Sequence, residues 1–172
     1  PTKEPTGDWK PYRIQVIGTA GERQTISGRF LDADWHVRWF EWFRQDPDAY
    51  ADAEAWKTLF AGPPIREEKL PALPNIQGYA SPGTGIPGAY FAFVATTQIK
   101  FEAGTYRFNS LSDDGIRVLV DGKPVIDNWT HHAGTNDTGL VTLTKGLHTI
   151  EVNYCQENGA AALAVSWAKE SP

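Results

Sequence analysis

The stretch Thr105-Tyr-Arg-Phe-Asn-Ser-Leu-Ser-Asp-Asp-Gly-Ile-Arg-Val-Leu-Val-Asp-Gly-Lys-Pro-Val-Ile126 decides the architecture. Thr105–Leu111 and Ile116–Val120 read as strands, and Asp121-Gly122 is a strong short-hairpin signal because both residue types tolerate positive φ. Val125 and Ile126 resume the sheet. The same grammar extends both ways. Tyr90–Phe101 is a strand, and Glu102-Ala103-Gly104 turns it into Thr105. Leu140–Leu143, the turn Lys145-Gly146 and Leu147–Cys155 make another hairpin. Ile150, Val152 and Tyr154 alternate with Glu151 and Asn153, which predicts one wet face. Ala160–Ala168 is the last strand, with Leu163, Val165 and Trp167 on one face and Ala162, Ala164 and Ser166 on the other; both faces are expected to be covered. Upstream, Trp9–Ile17, Ile26–Leu31 and Trp35–Phe43 read as strands, with a turn over Gly18–Glu22. The spacing of Trp35, Trp39 and Trp42 does not follow strand period throughout, which admits a bulge or a helical turn. Many short strands joined by Gly and Asp turns predict an all-β fold, an antiparallel sandwich or barrel.

One helix interrupts this pattern. Asp46 is the expected N-cap and Pro47 suits the first helical position. Tyr50, Ala53, Trp56, Leu59 and Phe60 recur at three- and four-residue spacing until Gly62-Pro63-Pro64 stops them. The expected helix covers about 47–60. Residues 62–88 hold six Pro and five Gly, which predicts a Pro/Gly-rich surface stretch without regular structure, a wrap that walls a site. The expected organisation is a linker over 1–8 and one β domain over 9–170, with 44–88 as an insertion.

A chain of 172 residues is the size of one domain, and 41% hydrophobic with 12% aromatic residues excludes disorder as its main state. A net charge of −5 argues against nucleic acid and against anionic membrane surfaces. The surplus is uneven: residues 1–100 carry a net −1 and residues 101–172 a net −4, so the C-terminal part favours a cation. No apolar run approaches bilayer length, which argues against membrane insertion. The single Cys155 excludes an internal disulfide framework and reads as an inert buried thiol. A chain that lacks Met and opens on Pro1 is expected to be a piece of a longer protein or a processed product.

The sharpest candidate for chemistry is Ser112-Asp113-Asp114-Gly115. Asp and Gly both suit a solvated hairpin turn. The functional alternative is a cation site. Neighbouring side chains on a regular strand point to opposite faces, so two adjacent Asp residues share an ion only if a turn or a cis peptide converges them. Carboxylates pushed together repel, and a bound cation removes the repulsion. Hard oxygen ligands point to Ca²⁺ over zinc or copper. Downstream, Trp129 either stacks on the apolar face of a ligand or packs at the end of the domain. His131 and His132 do not match common zinc spacings and are expected to hydrogen-bond a ligand or solvent. His36 and His148 fall in strand patterns and read as structural. Adjacent carboxylates sit too close to work from opposite sides of a glycosidic bond, a separation of about 5–9.5 Å in glycosidases. No nucleophile elbow, phosphate loop or zinc-protease motif occurs, so no catalysis is expected.

Phe101-Glu-Ala-Gly-Thr-Tyr-Arg-Phe108, Ser112-Asp-Asp-Gly115, Val120-Asp-Gly-Lys-Pro-Val-Ile-Asp-Asn-Trp129, Lys145-Gly-Leu-His-Thr-Ile-Glu-Val-Asn-Tyr154 and Asn158-Gly-Ala-Ala-Ala-Leu163 occur in that order. Together they closely resemble the protective-antigen-type domain family, which includes the lectin domains of yeast flocculins and epithelial adhesins. The resemblance covers residues 89–168; the first 88 residues match poorly. It implies an antiparallel β-barrel or sandwich in which Asp113 and Asp114 form a cis-linked pair holding Ca²⁺, and the ion binds vicinal hydroxyls of a sugar. It further implies that the loop Gln156-Glu157-Asn158-Gly159-Ala160 completes the coordination, through the side chain of Gln156 or Asn158 and the carbonyls of Asn158 and Ala160. Asp113, Asp114, Trp129, His131, His132 and Glu157 are the residues expected at the carbohydrate. The expected function is a calcium-dependent, lectin-like module of a larger secreted or cell-surface protein, monomeric and non-catalytic, with carbohydrate as partner. The alternative is a structural or protein-docking β domain without a sugar ligand.

Overall fold

In a computed structural model, which describes residues 8–17, 23–32, 34–42 and 49–170, twelve strands and one α-helix are laid out along the described residues. They are β1 (Asp8–Ile17), β2 (Arg23–Asp32), β3 (Trp35–Glu41), a 3-10 turn (Ala49–Ala51), α1 (Ala53–Ala61), β4 (Arg66–Leu70), β5 (Ile76–Gly78), β6 (Phe91–Phe101), β7 (Gly104–Asp113), β8 (Ile116–Val120), β9 (Lys123–Asn128), β10 (Thr135–Leu143), β11 (Gly146–Gln156) and β12 (Ala161–Lys169). A six-stranded sheet has the order β4-β3-β6-β11-β8-β9, and a four-stranded sheet the order β10-β7-β12-β5. β1 and β2 pair with each other as a separate hairpin. All pairings are antiparallel, and the two larger sheets form a sandwich, not a closed barrel. The expected turn at Asp121-Gly122 forms with φ of 50° and 75°, the left-handed pair that joins β8 to β9 tightly.

The core lies between the sheets. Phe91, Phe93, Val118, Ile150, Val152 and Tyr154 face Phe108 and Leu163 across it, all buried. The opposite face of the six-stranded sheet is also covered. Trp42, Ala92 and Cys155 pack there with Trp56 of α1 and with Trp129. The tryptophan spacing of β3 follows from this double cover and needs neither bulge nor helical turn. Trp35, Val37 and Trp39 point into the sandwich, while Trp42 points to the helix side, which is the strand period of two read on both faces. The face of β11 expected to be wet is only partly so: Glu151 is half-buried, whereas Asn153 and Cys155 are buried. The reverse holds for β12, where Ala164 and Ser166 are exposed because nothing among the described residues covers the outside of the four-stranded sheet.

Two further expectations are corrected. The helix begins at Ala53, not 47, and Asp52 caps it: its side chain accepts from the Ala55 N–H at 2.9 Å. Gly62 closes the other end, donating to the carbonyls of Thr58 and Leu59. Asp46, Pro47, the linker residues 1–7 and the turn at 18–22 lie outside the described residues. The stretch 62–88 is not without regular structure. β4 pairs with β3 and β5 with β12, so the segment supplies an edge strand to each sheet. Both strands are short and lie on edges, where flanking prolines remove no ladder hydrogen bond.

Edge strands β9 and β10 meet where Gly139 lies against Val125. A Cβ on Gly139 would fall 2.0 Å from the Val125 carbonyl oxygen. Gly139→Ala is expected to lower unfolding free energy by about 1–3 kcal/mol, the usual cost of forcing extra volume into a packed contact, as read by urea denaturation. At the other end of the domain, His148 is buried. Its Nδ1 lies 2.6 Å from Asp121 Oδ2 and its Nε2 lies 2.9 Å from the Thr144 carbonyl. Two acceptors call for two N–H donors, and the Asp121 carboxylate accordingly raises the His148 pKa above its usual value. The stabilisation from this pair is therefore complete below the unfolded imidazole pKa of about 6.5 and is lost as pH rises through the higher folded value. The urea midpoint of the native protein should fall across that window, and that of His148→Gln should stay flat.

Candidate functional site

Antiparallel pairing brings the β7–β8, β9–β10 and β11–β12 connections to one end of the sandwich. The first connection is Asp113-Asp114-Gly115, and the Asp113–Asp114 peptide is cis. Gly115 is fixed by crowding. A Cβ there would lie 2.8 Å from Cys155 Sγ, 3.3 Å from Tyr50 and 3.4 Å from the Thr130 carbonyl. Its own carbonyl accepts the Cys155 N–H at 3.0 Å, which ties the loop to β11.

Asp114 is the centre of the site. It is 1% exposed. Oδ1 accepts the His132 N–H at 3.2 Å and Oδ2 accepts the Glu157 N–H at 2.9 Å, so one carboxylate joins all three connections. His131 Nε2 lies 3.4 Å from Oδ1. Burial still dominates and pushes the Asp114 pKa above its ordinary value, against the two amides and the imidazole. Asp113 is half-buried, and among the described residues its carboxylate ties no backbone amide. Its main-chain carbonyl accepts from the Tyr154 hydroxyl, which also faces Gln156 Oε1 at 2.9 Å. A hydroxyl has one proton, so two oxygens converge on a single donor.

The residues of the third connection are brought to the same place. Gln156 is fully buried, and its Nε2 donates to the Asn158 carbonyl at 2.8 Å. The Glu157 carbonyl accepts the Tyr90 N–H at 2.7 Å. Asn158 and Gly159 are exposed, and Ala160 is half-exposed. His131 is 61% exposed and stacks parallel to Tyr50 at 6.1 Å. His132 contributes its backbone N–H; its Nδ1 pairs with the Ala133 carbonyl and its buried Nε2 has no partner.

Trp129 does not offer a face to a ligand. It is 6% exposed, with Trp56 edge-on at 4.9 Å, Phe60 at 6.0 Å and the Arg117 guanidinium 5.0 Å above its ring. It belongs to the core beneath α1. Tyr50, Tyr90 and Tyr154 are the site residues that sequence reasoning missed. Tyr154 carried only a strand signal and Tyr50 only a helical one, since both reach the site through long-range contacts. Burial pushes both hydroxyl pKa values above the ordinary tyrosine range.

Among the described residues, no group of three or more His, Cys, Asp or Glu side chains converges. The donor set that the motif resemblance implies is instead two carboxylates, one side-chain amide oxygen and main-chain carbonyls. All are hard oxygen ligands, a set that suits Ca²⁺ and does not suit zinc or copper. Each Asp114 oxygen accepts one N–H and keeps a lone pair, so this carboxylate fits such an ion.

Comparison with known proteins extends the motif resemblance. A stretch of 68 residues, 39% of this chain, is 34% identical to the anti-sigma-I factor RsgI3 of Acetivibrio thermocellus and covers 11% of that protein. An anti-sigma factor domain-containing protein from Clostridium clariflavum superposes with a TM-score of 0.60 at 20% identity, over 81% of this chain and 42% of that one. A PA14 sugar-binding domain from an RTX adhesin superposes with a TM-score of 0.57 at 18% identity, over 80% of this chain and 90% of that one. At these identities the structural likenesses establish the fold. The chain spans only a small part of the curated relative and less than half of the clostridial one. Residues 40–171 match the PA14 domain, and the chain belongs to that family.

Proposed function

We propose that the chain is a calcium-dependent carbohydrate-binding module of a larger extracytoplasmic protein. The observation that carries this is the buried Asp114 carboxylate, which joins three loops at one end of the sandwich beside a second carboxylate. Asp113, Asp114 and the oxygens of Gln156, Asn158 and Ala160 hold the ion. When bound, Ca²⁺ neutralises the paired carboxylates and attracts vicinal hydroxyl oxygens of a sugar. His131 and Glu157 flank the acidic pair and offer hydrogen bonds that select among hydroxyl orientations. The likeness to the PA14 sugar-binding domain of an RTX adhesin supports the carbohydrate partner. The module is non-catalytic and spans 9–170, with 44–88 as an elaboration that supplies α1, β4 and β5. Single-site affinity is weak, because a sugar must be desolvated at a shallow surface. Several copies on one surface raise it by avidity.

A second reading, a docking or structural domain without sugar, is favoured by a different observation. The loops are tied by the protein's own groups: two backbone amides hold Asp114, and Gln156 Nε2 holds the Asn158 carbonyl. Some of the similar proteins are anti-sigma factors, not adhesins.

The two readings separate in one experiment. Thermal unfolding in millimolar Ca²⁺ and in chelator is paired with a glycan array under the same two conditions. The sugar-binding reading expects Ca²⁺ to raise the melting temperature and array signals to vanish in chelator. Asp113→Asn, which leaves the amides on Asp114 undisturbed, should remove both effects while the variant stays folded. A melting temperature blind to Ca²⁺, with no glycan bound, would leave the docking reading standing.

A further inference from the structure

Trp129 is buried, so a sugar held at the Asp113/Asp114 end needs another apolar face. The geometry points to Tyr79 as the aromatic platform of that site, stacking on the C–H face of a pyranose; this rests on the carbohydrate-binding reading above. Tyr79 is 79% exposed, the largest exposure of any large hydrophobic residue described. Its position follows from strand register. β5 pairs with β12 through Leu163↔Ile76, Ala162↔Gln77 and Ala161↔Gly78. Ala161↔Gly78 is the last pair, and Gly78 turns the chain there at φ 78°, so Tyr79 stands one residue beyond the strand end that lies beside Ala160, whose carbonyl is in the proposed donor set.

The loop that carries Tyr79 is fastened at both ends. The Ser81 hydroxyl lies 2.7 Å from the Gly83 carbonyl and 2.5 Å from the Ile86 carbonyl. Gly88 lies against the Tyr79 carbonyl and the Ser81 amide, where an added Cβ would sit 3.5 and 3.6 Å away. Tyr90 then bonds the Glu157 carbonyl. The 79–90 loop and the 156–160 loop are thus one connected wall. A tyrosine has two side-chain torsions, so an exposed ring on a fixed backbone gives contact area at low entropic cost. Its hydroxyl adds a polar handle at the rim. The segment that reads in sequence as a Pro/Gly-rich wrap is then part of the binding face.

The test uses wild-type, Tyr79→Ala and Tyr79→Phe chains on an array of pyranose glycans with Ca²⁺ and with chelator, together with the Ca²⁺-dependent rise in melting temperature. Tyr79→Ala should weaken Ca²⁺-dependent glycan binding by about 3- to 10-fold, the worth of one aromatic stack. Tyr79→Phe should stay within about 2-fold of wild type, since it keeps the ring face. All three should show the same Ca²⁺-dependent thermal shift. Unchanged glycan binding by Tyr79→Ala overturns the platform and leaves the sugar reading intact. A lost thermal shift in Tyr79→Ala assigns the residue to loop structure and overturns it too. A wild-type chain that gains thermal stability from Ca²⁺ but binds no glycan ends the sugar reading itself, and the platform with it.

Discussion

The functional end of this domain depends on one buried carboxylate. Asp114 accepts an amide from the β9–β10 connection and another from the β11–β12 connection, while it belongs to the β7–β8 connection itself. Loops at the end of a sandwich otherwise have few reasons to keep a common geometry. A charge-assisted hydrogen bond is about twice as strong as a neutral one, and here two of them act on three loops at once. An apolar residue at position 114 would leave the His132 and Glu157 amides without this acceptor. The arrangement is also electrically incomplete. Two dipoles and a nearby imidazole only partly offset the burial of the charge, which is why the Asp114 pKa stays raised.

The aromatic wealth of the sequence has a related cause in the fold. Most antiparallel sandwiches bury one face of each sheet and wet the other. Here the six-stranded sheet is covered twice, by the second sheet on one side and by α1 on the other. That second cover places Trp42, Trp56 and Trp129 in one cluster and carries Tyr50 to the edge of the site, where it stacks on His131. The helix is therefore connected to the site through side chains, not appended to the outside of a finished domain. Gly115 shows the tightness of the junction: Cys155, Tyr50 and Thr130 leave it no room for a side chain.

What could be read from the sequence was local. Hairpins declared themselves through Asp121-Gly122 and Lys145-Gly146, and the adjacent aspartates through their own contiguity. The errors came where a residue's environment is set by a distant layer. Asn153 and Cys155 alternate correctly, yet they are buried because the helix side of the sheet is covered. Ala164 and Ser166 are small enough for a covered face, yet nothing described covers them. Trp129 follows a strand and enters a polar loop, the profile of a binding tryptophan, and only the tertiary fold reveals Trp56 and Phe60 against it. β4 and β5 were hidden by the prolines around them. Each is legible only through its partner strand, which supplies the hydrogen bonds that a short Pro-flanked segment cannot organise alone.

The placement of positive charge gives the strongest physical reason to expect a cation at this end. Arg117 begins two residues after Gly115 and is the sequence's natural counter-charge for the acidic pair. Its guanidinium is engaged elsewhere: Nε donates to Asp127 at 2.8 Å and the group lies 5.0 Å over the Trp129 ring. Those contacts are on the helix side of the sheet. Arg107 and Lys145 are likewise paired with Glu170 and Glu102 at other positions. A fold that required only stability could have turned a long basic side chain onto Asp114, because a buried carboxylate without a partner is costly. Instead Asp114 is met by two backbone amides and the His131 imidazole, with Glu157 close by, and among the described residues no Lys or Arg side chain pairs with it. A proton would neutralise that carboxylate at low pH, as the raised Asp114 pKa indicates. A divalent ion would do so with two carboxylates at once and without taking away the lone pairs that hold the loops together.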